Sequence, residues 1–359
     1  MNLLVLKAGQ RRIECAYFAD TNAAPERTAF TQNLRETQDD DSALRGALRK
    51  IHLECRLAMN SEPDGIAVCA PFGGAGFERS VIVDAEVLGK LRTVIPQAPF
   101  HTPLLLRLLQ ACGEIFSGVP VTLSFQTAFF AKLPLRERLY AVEPDLCAGL
   151  GGQRTGYQGL FHEAACEQVS AARRKSGVQE PARTLSICLE PQPEVAGVFG
   201  RQPVMVSSGA SSLEGIPGET TCGLVDPSLV LILAETLKCG PERINQMLTQ
   251  ESGLRGLLDK PATLPDVFED GDADCERARR IIEYRILQAC GAGIAALGGL
   301  DAIVFSGRYA SLGEKLGPWL CEKLRLNNWQ TCSLSLARIV AAKSALLLQT
   351  SKNGQAVGS

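Results

Sequence analysis

"RTLSICLEPQPEVAGVFGRQPVMVSS", Arg183–Ser208, alternates apolar and polar residues between turn-forming positions. This pattern predicts a β-hairpin followed by a third strand. An earlier stretch, "NLLVLKAGQRRIECAYF" (Asn2–Phe18), has the same alternation on both sides of a turn that contains glycine. Helical segments and then isolated apolar strands follow each of the two stretches. This repetition predicts two similar α/β domains that face a cleft, with the hairpin turns directed into it.

The other strands, helices and loops are predicted from local composition and from the spacing of apolar residues. Apolar runs predict isolated strands at 64–74, 119–127 and 300–308. A period near 3.6 predicts helices at Asp226–Cys239, Pro241–Ser252 and Ala273–Leu297. Charged or proline-rich composition predicts loops at Thr31–Asp41 and Ser170–Arg183. The boundary between the domains is expected near Gly149–Gly152.

Composition restricts the class of protein. A chain of 359 residues exceeds one ordinary core, which favours two domains. The net charge of −2 argues against a nucleic-acid-binding protein, and the apolar runs are too short or too interrupted to span a membrane. The 13 cysteines include no C-x-x-C pair and only 3 histidines accompany them, so no metal site is expected. With no secretory leader, reduced thiols and a cytoplasmic location are expected.

Several motifs, in one order along the chain, resemble those of a single family. They are "APFHTP" (98–103), "SFQTAFFAKLP" (124–134), "QRTGYQGLFH" (153–162), "SSLEGIPGETTCGLVDP" (211–227), "ESGLRGL" (251–257) and "GAGIAALGGLDAIVFSG" (291–307). Together they resemble the acetate kinases, phosphotransferases of the actin–hexokinase superfamily. The resemblance runs nearly end to end.

This resemblance implies a fold, domain limits and an assembly. The fold is α/β, with two ribonuclease-H-like domains of mixed sheets flanked by helices. The first domain would comprise residues 1–150 and 336–359, and the second, on the nucleotide and dimer side, residues 151–335. Acetate kinases resemble one another in pairing through the second domain, so a homodimer is expected.

The family transfers the γ-phosphoryl group of ATP to a carboxylate with Mg²⁺, and this sequence departs from it at the positions that carry the chemistry. The two arginines align with Cys69 and Thr221, the histidine with Gln158 and the aspartate with Gln126. The asparagine of the first strand aligns with Lys7, and the metal-side glutamate with Ser311, although Glu314 could reach that place after a small shift. Cations at the transferring group supply much of the rate of such reactions.

The turn "CLEPQPEV" (Cys188–Val195) replaces a glycine-rich phosphate loop of the family. A phosphate-binding loop offers converging backbone N–H groups, and Pro191 and Pro193 have none. Glu190 and Glu194 add negative charge, and each carboxylate within ~5 Å of a phosphate charge would oppose binding by roughly 3 kcal/mol at an effective dielectric constant of about 20. Ordinary ATP binding at this turn is not expected.

The remaining residues at family positions either bind a ligand or only set turn geometry. The ligand-binding candidates are Lys7, Arg11, Gly73, Gly74, His101, Gln126, Gly209, Gly215, Gly307 and Arg308. Lys7 and Arg11 form either an anion site or a solvated hairpin tip.

Two functions remain open. The main hypothesis is a catalytically degenerate homologue that acts by binding or assembly, with no cofactor and with a small anion or carboxylate as its possible ligand. The alternative is a diverged phosphotransferase that acts on a carboxyl group with ATP and Mg²⁺ and uses Lys7, Arg308 and Glu314.

Overall fold

The computed structural model describes residues 1–8, 12–19, 27–33, 41–99, 101–143, 152–211, 213–325 and 329–356. The strands are β1 (Leu3–Ala8), β2 (Arg12–Phe18), β3 (Arg27–Asn33), β4 (Gly65–Ala70), β5 (Val81–Ile82), β6 (Val121–Phe125), β7 (Arg183–Cys188), β8 (Glu194–Phe199), β9 (Gln202–Val206), β10 (Ala302–Ser306) and β11 (Gln330–Thr331). The helices are α1 (Asp41–Met59), α2 (Ala85–Thr93), α3 (Thr102–Ile115), α4 (Leu135–Arg138), α5 (Gly159–Lys175), α6 (Pro227–Leu237), α7 (Pro241–Gln250), α8 (Gly253–Leu258), α9 (Leu264–Glu269), α10 (Ala273–Leu297), α11 (Gly313–Leu324) and α12 (Leu336–Ala356).

The chain divides into two compact units. The first comprises Met1–Ala131, Glu143–Gly151 and Ser335–Ser359, and the second comprises Lys132–Val142 and Gly152–Leu334. The family resemblance implies that Lys132–Val142 belong to the first domain. These residues group with the second unit because Arg154 N–H donates to the carbonyl of Arg138 at 2.8 Å and Val206 N–H donates to Glu137 at 3.1 Å. Most of the expected boundary, Gly149–Gly152, lies outside the described residues.

The first unit is built on a six-stranded sheet with strand order β3-β2-β1-β4-β6-β5. Strands β1 to β3 are antiparallel neighbours, whereas β1, β4 and β6 are parallel. The run GIAVCA of β4 is buried at every position, as expected for a central parallel strand that is covered on both faces. Helix α12 packs against β1, β4 and β6. There Thr122 Oγ1 donates a buried hydrogen bond of 2.6 Å to Ser344 Oγ.

The second unit repeats this plan in a five-stranded sheet with strand order β11-β10-β7-β8-β9. Strands β7 to β9 form an antiparallel meander, and β10 is parallel to both β7 and β11. Alternate residues of β10 face opposite layers. Ile303 packs in the same core as α10, whereas Val304 packs with Ala165 and Val169 of α5. The side chains of one strand therefore serve two helical layers.

Two local predictions are wrong. Residues 31–33 belong to β3, because β3 pairs with β2 rather than forming a loop. Residues 170–175 form the last turns of α5, where Arg173 to Lys175 lie at the helix end that favours positive charge. The helices predicted from residues 226, 241 and 273 are present as α6, α7 and α10. Asp226 caps α6, since its side chain accepts a hydrogen bond from Ser228 N–H at 2.7 Å.

Among the described residues, no helix combines the length and the apolar composition needed to cross a bilayer. Every cysteine in the described part of the chain is a free thiol, and most of them are buried.

Two leucines of α12 provide a test of how this helix stabilises the first unit. Leu348 is 4% exposed, whereas Leu346 is 65% exposed on the same helix. We predict that Leu348→Ala lowers the free energy of unfolding by about 3 kcal/mol, because it leaves a cavity in a packed core. Leu346→Ala should change it by less than about 0.5 kcal/mol. Urea denaturation measures both values, and equal losses would contradict the packing described for α12.

Candidate functional site

The carboxylate of Glu194 closes the amino end of α5. The backbone N–H groups of Tyr157 and Gln158 donate to its two oxygens, each at 2.8 Å. Gln158 is the N-cap of the helix, and the amino end of a helix is a place where proteins bind anions. Glu194 is only 1% exposed. A carboxylate of the chain itself therefore occupies the anion position at this helix end.

His162 lies one turn into α5 and touches the same carboxylate. Its Nε2 is 3.1 Å from Oε1 of Glu194, and its Nδ1 is 2.8 Å from Oγ of Ser186 in β7. All three side chains are buried. The connectivity is that of a Ser–His–Glu relay, but a nucleophile needs access to its substrate, and these side chains have almost no exposed surface. The arrangement joins α5 to β7 and β8.

Glu190 makes a second contact of this kind, in the turn between β7 and β8. The backbone N–H of Arg308 donates to its Oε1 at 2.7 Å, and the guanidinium Nε donates to its Oε2 at 3.2 Å. Gly307 precedes this pair with a φ of +93°, and a Cβ there would come within 2.6 Å of the carbonyl oxygen of Leu189. Packing of the two loops against each other thus accounts for both Gly307 and the backbone donor of Arg308.

Glu214 organises the loop that joins β9 to α6. Tyr140 Oη donates to its carboxylate, and Arg154 Nη2 lies 2.7 Å from Oε1. Ala210 N–H in turn donates to Tyr140 Oη at 2.9 Å. Burial raises the pKa of Tyr140 to about 12, and the hydrogen bond to Glu214 contributes in the same direction. Tyr140 therefore stays protonated and holds the loop through Glu214 over the ordinary pH range.

Three predicted site residues lie in this loop. The carbonyl of Gly209 accepts a hydrogen bond from Thr155 N–H at 3.1 Å. Gly215 has a φ of +112°, which favours glycine, and its carbonyl accepts from Leu224 N–H at 2.8 Å. Thr221, which the resemblance aligns with the family's second arginine, has a buried Oγ1 with no hydrogen-bond partner among the described residues. The loop supplies shape at these positions and no cation.

Ser311 and Glu314, the candidates on the metal side, do not form a metal-binding group with other described residues. Ser311 and Glu314 are both exposed, in the turn before α11 and in its first turn. Within the described residues, the one group of three possible metal ligands lies elsewhere, at Asp270, Asp272 and Cys275. Asp272 is the N-cap of α10, so its carboxylate already has a structural role. Glu314 is not part of a metal-binding group in the described part of the chain.

In the first unit, Lys7 and Cys69 are neighbours on parallel strands β1 and β4. Lys7 also lies directly opposite Glu14 on β2, which places a carboxylate on the same face of the sheet. Cys69 is buried. Arg11, the second member of the predicted anion site, lies outside the described residues.

The other first-unit candidates lie at the ends of β4 and β6. Gly73 N–H donates to Thr127 Oγ1 at 3.1 Å, and Gly74 has a φ of +61°. Gln126 follows β6, is buried, and has an Oε1 with no hydrogen-bond partner among the described residues. His101 is the exposed N-cap residue of α3 and makes no side-chain capping bond.

The structure thus brings some predicted residues together within each unit. Lys7 lies beside Cys69, Gln158 binds Glu194, and Arg308 binds Glu190. Sequence reasoning missed the contacts of Glu214 with Tyr140 and Arg154. Tyr140 is 74 positions and Arg154 is 60 positions from Glu214 along the chain, so no local pattern connects them.

Comparison with known proteins gives a family. Residues 13–330 match the Acetokinase family. The chain belongs to this family. It is 25% identical over 347 residues to the acetate kinase of Sulfurovum sp. (strain NBC37-1), a match that covers 90% of this chain and 86% of that protein. It is 32% identical over 258 residues to the acetate kinase of Syntrophobacter fumaroxidans, covering 70% of this chain and 62% of that protein.

Solved structures confirm the fold class. The acetate kinase of Porphyromonas gingivalis aligns with a TM-score of 0.83 at 20% identity, covering 97% of this chain and 99% of that one. A propionate kinase from Francisella tularensis aligns with the same TM-score of 0.83 at 20% identity, covering 95% of this chain and 98% of that one. This acetokinase-family chain has the α/β fold, with two mixed sheets flanked by helices.

Two sets of backbone donors in the second unit are not free for the phosphates of ATP. The backbone donors at the amino end of α5 and at Arg308 bind Glu194 and Glu190 instead. Both carboxylates are buried, so they cannot turn into solvent without breaking the packing around them. The turn between β7 and β8 thus carries two acidic side chains that accept hydrogen bonds from backbone N–H groups elsewhere in the second unit.

A substitution at Glu194 tests this contact. We predict that Glu194→Ala lowers the free energy of unfolding by roughly 3 kcal/mol, because two backbone donors and His162 lose a buried charged partner. Glu194→Gln should cost less, since its amide oxygen can still accept one of the two N–H bonds. Urea denaturation gives both values. Glu322, 76% exposed on α11, is the control, and Glu322→Gln should change stability by under about 0.5 kcal/mol. A cost for Glu194→Ala no larger than for that control would refute the role of the carboxylate.

Proposed function

We propose that this acetokinase-family protein does not transfer phosphoryl groups from ATP and acts by binding or by assembly. Glu190 and Glu194 support the proposal, because their carboxylates bind two sets of backbone N–H donors in the second unit. An incoming triphosphate would have to displace these buried carboxylates and would then lie beside them as like charges. No cofactor is needed for the proposed role.

The residues at the family's catalytic positions support the same proposal. Phosphoryl transfer depends mainly on positioning and on neutralising the charge that develops on the transferring group. Cys69, Gln126, Gln158 and Thr221 carry no charge that could do this. The one cation among these positions, Lys7, lies opposite Glu14. If the first unit binds a ligand, a small anion or carboxylate beside Lys7 is the class that we propose.

The comparisons by themselves favour a second function, that of an ATP-dependent phosphotransferase with a carboxyl group as acceptor. The relatives and neighbours described above are named acetate or propionate kinases. This function would require ATP and Mg²⁺. Arg308 and Glu314 would have to serve the phosphates and the metal, with Lys7 at the acceptor. Arg308 would then have to release Glu190.

An acyl-phosphate assay separates the two functions. We predict no transfer from ATP and Mg²⁺ to acetate, propionate or butyrate above background, because each missing charge partner in such a site typically costs a factor of about 100 or more in rate. Calorimetric titration with ATP and Mg²⁺ should show no binding heat at millimolar nucleotide.

The acetate kinase of Porphyromonas gingivalis, assayed in the same buffer, serves as the positive control. Turnover of the wild-type protein comparable to that control would reject the proposal and establish the phosphotransferase. Nucleotide binding without turnover would show that Glu190 and Glu194 do not exclude the phosphates. The protein would then be a nucleotide-binding homologue that does not transfer phosphoryl groups.

A second copy of this chain is the partner that we propose. Helix α6 has no buried residue in the described structure, although most of its side chains are apolar. Leu229, Leu231, Ile232 and Leu237 are all exposed on it. Exposed apolar side chains clustered on one helix are typical of a protein interface, and the family resemblance implies pairing through the second unit. We therefore place the homodimer contact on α6.

Charged substitutions test the homodimer. Light scattering at micromolar concentration should give twice the mass of the chain for the wild type and a monomer for the double variant Leu231→Asp/Ile232→Asp. Leu231 is 71% exposed, and Leu57, 75% exposed on α1 of the first unit, is the matched control. Leu57→Asp should leave the dimer intact. A monomeric wild type, or dissociation by the control variant alone, would contradict the assignment.

A further inference from the structure

A groove of about 750 Å³ lies in the second unit, away from the positions discussed so far. It is formed by the last turns of α5, the segment that follows this helix, the turn between β8 and β9, and Lys132. We call it the basic groove. Its volume is within the range of small-molecule sites in proteins, about 300 to 1,000 Å³.

Positive charge predominates in the basic groove. Lys132, Arg173, Arg174 and Arg201 line it together with two carboxylates, Glu167 and Glu180. Arg201 is paired with Glu167 at 2.7 Å, so one of these carboxylates is already neutralised. Lys132 and Arg174 form no ion pair with another described residue. The excess of positive charge therefore comes from side chains that remain available to a ligand.

Arg173 adds an unsatisfied donor. Its Nε is buried and has no hydrogen-bond partner among the described residues. The pKa of Asp301 is lowered mainly by its hydrogen bond with Arg183, and the positive charge of Arg173 contributes in the same direction to a smaller extent. Arg173 also lines the groove, so its positive charge adds to that of the lining.

A simpler explanation covers only part of this pattern. Basic residues in the last turn of a helix interact favourably with its dipole, which accounts for Arg173, Arg174 and Lys175 on α5. It does not account for Lys132, which comes from another element and lines the same concavity. Nor does it account for Phe199, whose side chain is exposed at the groove.

The basic groove and the acidic turn lie at opposite ends of the same strands. Strand β7 begins at Arg183 and ends at Cys188, just before Glu190, whereas β8 begins at Glu194 and ends at Phe199. Six residues of strand span roughly 17 Å. A ligand in the groove would therefore not contact Glu190 or Glu194, and the inference is independent of the function proposed above.

We propose that the basic groove binds a small phosphorylated molecule whose apolar or aromatic body packs on Phe199. The phosphate lies between Arg173, Arg174 and Lys132, where guanidinium groups bind it through charge-assisted hydrogen bonds. The ring or chain of the ligand covers the exposed face of Phe199. No bond is made or broken in this step.

Calorimetric titration with phenyl phosphate and with inorganic phosphate, at low ionic strength, tests the proposal. The wild-type chain should bind phenyl phosphate at one site and more tightly than inorganic phosphate. Arg173→Gln and Arg174→Gln should each weaken both ligands about tenfold, the effect of one lost charge-assisted contact. Phe199→Ala should weaken the binding of phenyl phosphate and leave the binding of inorganic phosphate unchanged. Glu180→Gln should strengthen the binding of both ligands, because it removes a negative charge from the lining.

Lys175→Gln provides the matched control. Lys175 is the next cation on α5, is exposed, and does not line the groove. It should leave both affinities within about twofold of the wild type, a change near 0.4 kcal/mol. Arg174 is exposed, so Arg174→Gln tests the groove even if Arg173→Gln unfolds the chain. The absence of saturable binding to the wild type, or equal losses in Arg174→Gln and Lys175→Gln, would overturn the proposal.

Discussion

The carboxylate of Glu194 is the constraint on which the second unit depends. It satisfies two backbone donors at the amino end of α5, and it holds His162, which binds Ser186 of β7. One buried charge therefore links the first turn of a helix to two strands. Such a charge is tolerated in a core only when hydrogen bonds compensate for its lost hydration, and three partners do so here.

This constraint changes what the fold can bind. An internal carboxylate needs no binding step, because the chain already holds it near the helix end, whereas a nucleotide loses translational and rotational freedom when it binds. Glu190 repeats the arrangement at Arg308, so both sets of donors in the turn region have partners in the same chain. Under the proposed function, two anion positions of the duplicated fold are thus filled from within.

Much of the fold could be predicted from the sequence, because it rests on local patterns. Alternation marked the hairpins, and the period of the apolar residues located α6, α7 and α10 closely. The predictions failed where composition resembled a loop. Charged residues at the end of α5 continue the helix because Ala165 and Val169 bury its inner face. Residues 31–33 form an edge strand because β2 offers them a partner.

The candidate site was predictable only as a list of residue types. Charge and the missing prolyl N–H groups predicted a turn unsuited to phosphate, but not that its carboxylates accept hydrogen bonds. Those bonds join residues 36 and 118 positions apart, beyond the reach of any spacing rule. Gly307 shows that a residue kept at a family position need not indicate a ligand. Gly307 remains because a Cβ would collide with the carbonyl of Leu189, whether or not a ligand is bound. A retained glycine in a phosphate-loop fold is therefore evidence of loop packing, and the binding of a ligand has to be argued from the donors that remain free.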